Sequence, residues 1–171
     1  HDLEELSRAE AGQIHLELEL VDPTSLIRVA ADRLAPQFED KDVRLSLDLA
    51  TDLPDLRADS GRMTQVLLNL MGNALQYTPA GGEVSVGAWT DTETIRISVQ
   101  DTGIGIAPEH LPHIFERFYR VDKSRSRAVG GSGIGLTISE HIIEAHGGSI
   151  SASSPGPDQG STFSITVPAA H

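Results

Sequence analysis

At 171 residues the chain is long enough for one well-buried core and a short appendage, but not comfortably for two domains. Its formal net charge of −12 argues against a general nucleic-acid binder, because phosphate backbones attract basic surfaces. The lack of cysteine excludes disulfides and thiolate zinc sites and suits a reducing compartment; with no apolar run near the roughly 20 residues of a bilayer span and no signal-peptide opening, the chain reads as soluble.

Residues 2–12 carry Leu3, Leu6 and Ala9 at helical spacing and stop at Gly12, the pattern of the tail of a helix begun upstream, so a fragment is expected. Ile14, Leu16, Leu18 and Leu20 alternate with His15, Glu17 and Glu19, predicting a half-buried strand over 14–20. Asp22 before Pro23 forms a cap and first-turn pair opening a helix that runs towards Glu39, with Pro36 expected to kink or shorten it. Val43, Leu45, Leu47 and Leu49 alternate as a second strand, and Leu53-Pro54 marks the loop after it. A helix over 60–77 follows, then strands over 84–89 and 95–99 joined by a turn around Asp91. A helix over 135–145 stops at His146-Gly147-Gly148, and strands over 149–153 and 162–167 flank a Pro155-Gly156-Pro157 loop.

Alternating strands give a sheet with one dry face packed by helices, which predicts a two-layer α/β (α+β) sandwich rather than a doubly wound sheet covered on both faces. The stretch 107–133 has no clear strand and only short helical signals, Pro108-Glu-His-Leu and Ile114-Phe-Glu-Arg-Phe. Long irregular segments inside compact domains are often lids. Of the 13 Lys and Arg residues, five lie here: Arg117, Arg120, Lys123, Arg125 and Arg127. Such a cluster on an acidic protein suggests a compact polyanion as partner, the alternative being a solvated loop that merely holds charge.

The helix over 60–77 sets Val66, Leu67, Leu70, Met71 and Ala74 on one side and Gln65, Asn69 and Asn73 as an amide stripe on another. An amide oxygen can join the oxygen shell of Mg²⁺ without adding negative charge beside a triphosphate; the plain alternative is an ordinary polar face. Asp101, ending an apolar strand before Thr102-Gly103-Ile104-Gly105, can accept from the exocyclic amine of adenine and repel the guanine carbonyl. Gly103 and Gly105 would let backbone approach base or ribose; the alternative is a simple Asp-x-Gly turn. Gly131, Gly133 and Gly135 lead into a helix start, which aims free amides at phosphate. A P-loop is excluded because Leu136 and Thr137 stand where its Lys belongs, and G-x-G-x-x-G is broken by Pro108 and Ile138.

In order and spacing, Asn69-Leu-Met-Gly-Asn73-Ala, Asp101-Thr-Gly-Ile-Gly-Ile106, Phe115-Glu-Arg-Phe-Tyr-Arg120 and Gly131-Ser-Gly-Ile-Gly-Leu136 resemble the N, G1, F and G2 boxes of sensor histidine kinases. With His146-Gly-Gly148 and the Gly160-Ser-Thr-Phe163 ending, the likeness covers residues 13–171 as a catalytic ATP-binding domain. Residues 1–12 resemble the end of a dimerisation and phosphoacceptor helix. The resemblance implies the Bergerat ATP-binding fold shared with Hsp90, type II topoisomerases and MutL, a mixed sheet with helices on one face and a mobile lid between the G1 and G2 boxes. It implies Asn73 as the Mg²⁺ ligand with Asn69 assisting near the phosphates, Asp101 on adenine, Tyr77 lining the nucleotide, and Arg120 reaching the terminal phosphate. Phe115 and Phe118 would anchor the lid, Gly131, Gly133 and Gly135 would supply its hinge, and Leu136 and Thr162 complete the nucleotide set.

Two departures stand out. Gln76 occupies a position where the family often has Lys, removing a positive charge near the phosphates. No His-Glu-x-x-Arg-Thr-Pro-like phosphoacceptor segment is present: His1 lacks the continuation, and His15, His110, His113, His141, His146 and His171 read as surface, lid or terminal residues. The chain is therefore expected to bind Mg-ATP as a monomer. Its expected place is as a cytoplasmic domain in a membrane-anchored, homodimeric sensor whose histidine passes phosphate to a response regulator. One rival is an ATPase switch of the Hsp90 or gyrase type, disfavoured because Asn69 stands where that class has its Glu base. Another is a nucleotide sensor without transfer activity.

Overall fold

The computed structural model describes residues 2–116, 119 and 135–170. Five strands form a mixed sheet in the order β2-β4-β5-β7-β6: Arg44–Leu49 (β2), Glu83–Thr90 (β4), Thr94–Asp101 (β5), Ser161–Pro168 (β7) and Ser149–Ser153 (β6). β2 runs parallel to β4 and the other neighbours are antiparallel. Among the described residues three helices cover one face: Pro23–Lys41 (α2) against β2, Ser60–Gln76 (α3) against β4 and β5, and Gly135–Ala145 (α4) against β6. This is the expected two-layer sandwich, with α3 packed between α2 and α4.

The side-chain period of two builds the core. Ile95, Ile97, Val99 and Asp101 of β5 and Ser161, Phe163, Ile165 and Val167 of β7 point under the helices. Met63, Val66, Leu67, Leu70, Met71 and Ala74 of α3 close over them. Each large apolar side chain so buried contributes about 1.5–3 kcal/mol. The other sheet face carries Ser46, Ser85, Ser98, Ser164 and Thr166 and lacks a helical cover among the described residues.

α2 starts where its cap pair requires: the Asp22 carboxylate accepts from Thr24 N–H and Pro23 supplies the fixed first φ. Pro36 does not shorten it, and the helix continues to Lys41. Leu34 and Phe38, buried on either side of the proline, hold the last turn to the core against the loss of one backbone bond.

The strand expected over 14–20 is corrected to Glu19–Val21 (β1), which pairs only with the three residues of Leu56–Ala58 (β3). Leu18 and Leu20 stay 48% and 61% exposed, so their alternation marks no dry face. β3 is too short to carry a readable period. Its partner strand ends the segment whose Glu17 N–H turns instead to Asp59 Oδ2, at 2.9 Å.

The first helix, Asp2–Glu10 (α1), packs on α4 with Leu6 only 2% exposed. Among the described residues no helix is long and apolar enough to cross a membrane.

Candidate nucleotide site

α3 is the spine of the site, and its start is fixed by Asp59, whose carboxylate accepts from Arg62 N–H at 3.0 Å and Glu17 N–H at 2.9 Å. Burial pushes that carboxyl up, but the two amides and the charge of Arg62 together outweigh it and hold it below the ordinary aspartate value. The Asp59 N–H donates to His146 Nε2 at 3.1 Å, while His146 Nδ1 donates to Ile142 O at 2.8 Å. His146, expected as a surface or terminal residue, therefore ties the end of α4 to the cap of α3 as a neutral imidazole.

The amide stripe separates into three environments. Gln65 Nε2 donates to Glu5 Oε1 of α1 at 2.6 Å, and Arg62 Nη1 reaches the same oxygen at 2.7 Å. Asn69 Nδ2 donates to Ser139 Oγ of α4 at 3.0 Å. Asn73, half-buried one turn further on, makes no side-chain hydrogen bond among the described residues. Of the stripe, Asn73 is thus the amide with neither end in a side-chain hydrogen bond among the described residues, while Asn69 is held through Nδ2 alone. No group of three or more His, Asp or Glu able to hold a metal occurs among the described residues. A cation here would take neutral amide oxygen and the oxygens of its own nucleotide, a donor set that suits Mg²⁺.

At the end of β5 Asp101 is 5% exposed. Its Oδ1 accepts from Gly103 N–H at 2.8 Å and Ser161 N–H at 3.3 Å, and its Oδ2 accepts from the Ser161 hydroxyl at 2.8 Å. A carboxylate offers about four acceptor positions, so room remains for one further donor such as an exocyclic amine.

Thr162 is expected among the nucleotide contacts, and the register sets the direction of its side chain. It pairs with Gln100 of β5 and Ser153 of β6, and alternation turns it to the uncovered sheet face, away from the buried side of Asp101. Ser161, directly opposite Asp101, is the residue of β7 that shares its buried side. The signal for it was present: Phe163, Ile165 and Val167 face the core, and the same period of two carried back one step lands on Ser161.

Gly103 and Gly105 are required by the protein itself. A Cβ on Gly103 would collide with the Tyr77 carbonyl oxygen, and Gly105, at φ +70°, faces the Gly156 carbonyl just as closely. Tyr77 O also accepts Ile104 N–H at 3.1 Å, and the 154–160 loop is bound through Asp158 N–H to Ile104 O and Gly160 N–H to Gly103 O. The loop after β5 is clamped between the end of α3 and the loop before β7, which places Tyr77 beside it.

Gly135 begins α4 against Asn69, where a Cβ would lie 2.5 Å from Asn69 Oδ1. Leu136 packs on the core edge. Phe115 meets Phe163 edge to face at 6.2 Å, and its carbonyl accepts the Thr137 hydroxyl at 2.7 Å, so it anchors the chain entering the expected lid. Beyond it the Tyr119 hydroxyl bonds His110 Nδ1, and its ring stacks on His113. Arg120, Gly131, Gly133 and Phe118 lie outside the described residues.

Gln76, in the place of the usual Lys, has a buried Nε2 with no partner among the described residues. Nearby, Lys41 Nζ donates to the carbonyls of Leu75 and Gln76 at 2.7 and 3.0 Å, a cation on the negative end of α3. Burial lowers the pKa of that ammonium.

Comparison with known proteins agrees with this fold. Residues 58–171 match the family model for the histidine kinase-, DNA gyrase B-, and HSP90-like ATPase. The chain is 38% identical over 167 residues to the sensor-like histidine kinase SenX3 of Mycolicibacterium smegmatis, which covers 98% of this chain and 43% of that protein. Full-length ShkA, solved in complex with AMPPNP, superposes with a TM-score of 0.87 and 32% identity over 99% of this chain and 35% of its own. The mycobacterial sensor histidine kinase MprB superposes with a TM-score of 0.77 and 27% identity, matching 90% of this chain and 98% of that one. The chain belongs to the histidine kinase-, DNA gyrase B- and HSP90-like ATPase family and is an ATP-binding catalytic domain of the sensor histidine kinase type.

Proposed function

We propose that this domain binds Mg-ATP and presents its terminal phosphoryl group to a histidine on the dimerisation domain of the full-length protein, from which an aspartate on a response regulator then accepts it. The observation that carries this reading is the combination of a buried, braced carboxylate at the end of β5, Asp101, with an amide on α3, Asn73, that has no side-chain hydrogen bond among the described residues. In this reading Asp101 takes the adenine amine and Ser161 holds the carboxylate in place. Asn73 supplies an amide oxygen to Mg²⁺, which neutralises phosphate charge, and Tyr77 lines the nucleotide. Arg120 meets the terminal phosphate. Phosphoryl transfer asks a protein chiefly to position groups and offset charge. The imidazole nitrogen forms the new bond to phosphorus, the bond from phosphorus to the bridging oxygen breaks, and ADP leaves with that electron pair.

Hydrolysis is the weaker alternative. Asn69 cannot take a proton from water, and its amide is already committed to Ser139. The domain by itself is read as a cytoplasmic monomer, with dimerisation and any membrane anchor supplied by the rest of a homodimeric sensor.

The test is a calorimetric titration with ATP and GTP, each with and without Mg²⁺. Mg²⁺-dependent binding of ATP and not of GTP is expected, and phosphate should reach a separately supplied dimerisation domain carrying its histidine. Absence of ATP binding by the folded domain would overturn the proposal.

A further inference from the structure

We propose that Ser139 is a positioning residue for Asn69, holding the amide so that its oxygen, and not its nitrogen, faces the start of α4 and the phosphate-bound metal. This rests on the Mg-ATP reading above and adds to it a residue that none of the sequence motifs contains.

The two ends of the Asn69 amide meet two positions on one face of α4. Nδ2 donates to Ser139 Oγ at 3.0 Å, and Oδ1 lies where a Cβ on Gly135 would approach to 2.5 Å. Gly135 and Ser139 are four residues apart and so stand one turn above the other. The amide thus lies along the helix, with its donor end one turn inside and its oxygen end at the N-terminus. A helix start carries partial positive charge, the surroundings an anionic nucleotide seeks.

A hard cation accepts the carbonyl oxygen and not the NH₂ group. An unrestrained asparagine can offer either. Ser139 is 2% exposed, so no bulk water replaces its hydroxyl as the acceptor for Nδ2. Without it the amide loses its orientation, not its place.

Two other ties hold α4 where it is. Thr137 donates to Phe115 O at 2.7 Å, and His146 accepts from Asp59 N–H at 3.1 Å. Ser139 is therefore not needed to dock the helix, which separates an orienting role from a packing one.

Partners that orient metal ligands typically matter by 10- to 100-fold in metal affinity. Calorimetry of ATP binding across a series of free Mg²⁺ concentrations should show Ser139→Ala raising the Mg²⁺ requirement by about tenfold, with metal-free ATP affinity unchanged. In an Asn69→Ala background, Ser139→Ala should add nothing, because it acts through that amide. Ser139→Cys, nearly isosteric and a weak acceptor, should fall between the two and serves if the alanine variant is poorly folded. A wild-type Mg²⁺ requirement in the folded variants, or an equal shift with and without Asn69, would overturn the assignment. A wild-type protein whose ATP binding ignores Mg²⁺ would fail the underlying reading first, before any variant is compared.

Discussion

The two ends of the site are built on opposite plans. At the base end the polar groups are braced: Asp101 accepts three hydrogen bonds, Ser161 is paired through both amide and hydroxyl, and the loop after β5 is locked to Tyr77 and to residues 154–160. At the phosphate end Asn73 has no side-chain partner among the described residues and Gln76 Nε2 is buried without one. In the proposed reading the difference follows from what each end would bind. An adenine edge has a fixed donor pattern, so a rigid acceptor can be prepared in advance by a strand register. A metal-bridged triphosphate brings its own charge and oxygens, so the protein contributes few ligands and leaves them open.

The largest effect should come from the rigid end. Asp101→Asn removes the charge facing the adenine amine and turns one acceptor into a donor; hydrogen bonds to charged groups are worth about 1.5–3 kcal/mol, so ATP affinity should fall about 10- to 100-fold. Calorimetry beside a circular dichroism spectrum checks this, and unchanged affinity in a folded variant would detach Asp101 from adenine. Next, Asn73→Ala should abolish the Mg²⁺ dependence of ATP binding while leaving metal-free binding near wild type. Persistence of that dependence would move the metal to another residue.

A smaller effect separates neighbouring residues on the two faces of β7. Ser161→Ala leaves a buried carboxylate oxygen short of one donor and should weaken ATP binding several-fold, at about 1 kcal/mol, whereas Thr162→Ala, on the uncovered face, should leave it unchanged. Equal losses in the two variants would mean that the register does not govern the base site.

The smallest concerns the spine itself. The Asp59 carboxyl lies below its ordinary value in the fold, so its contribution is complete above the unfolded value and disappears as pH falls through the folded one. Asp59→Asn should flatten that acid limb in thermal melts and change little at neutral pH, since Asn also caps helices. An acid limb identical to wild type would show that the cap charge is not felt.

Much of the fold was legible because its signals are local. The Asp22-Pro23 start of α2, the alternation in β4, β5 and β7, and the apolar side of α3 each lie within one element. Where signals were not local, sequence misled. Ile14 to Leu20 has a strand's period, yet most of it finds no partner, because a strand needs a neighbour and β3 supplies only three residues. Pro36 carries a breaker's chemistry, yet buried neighbours hold the helix through it.

The sequence by itself determined the composition of the site: Asn69 and Asn73 on one helix, Asp101 before its glycines, Gly135 at a helix start, and the order of the motifs. Only the tertiary structure decided what each of these groups is free to do. Asn69 meets Ser139 across 70 residues, and Asp101 meets Ser161 across 60. Neither pairing is contained in any local period. They follow from which helices share a sheet face and which strand lies opposite which, and those are settled by burying one core rather than by any single segment.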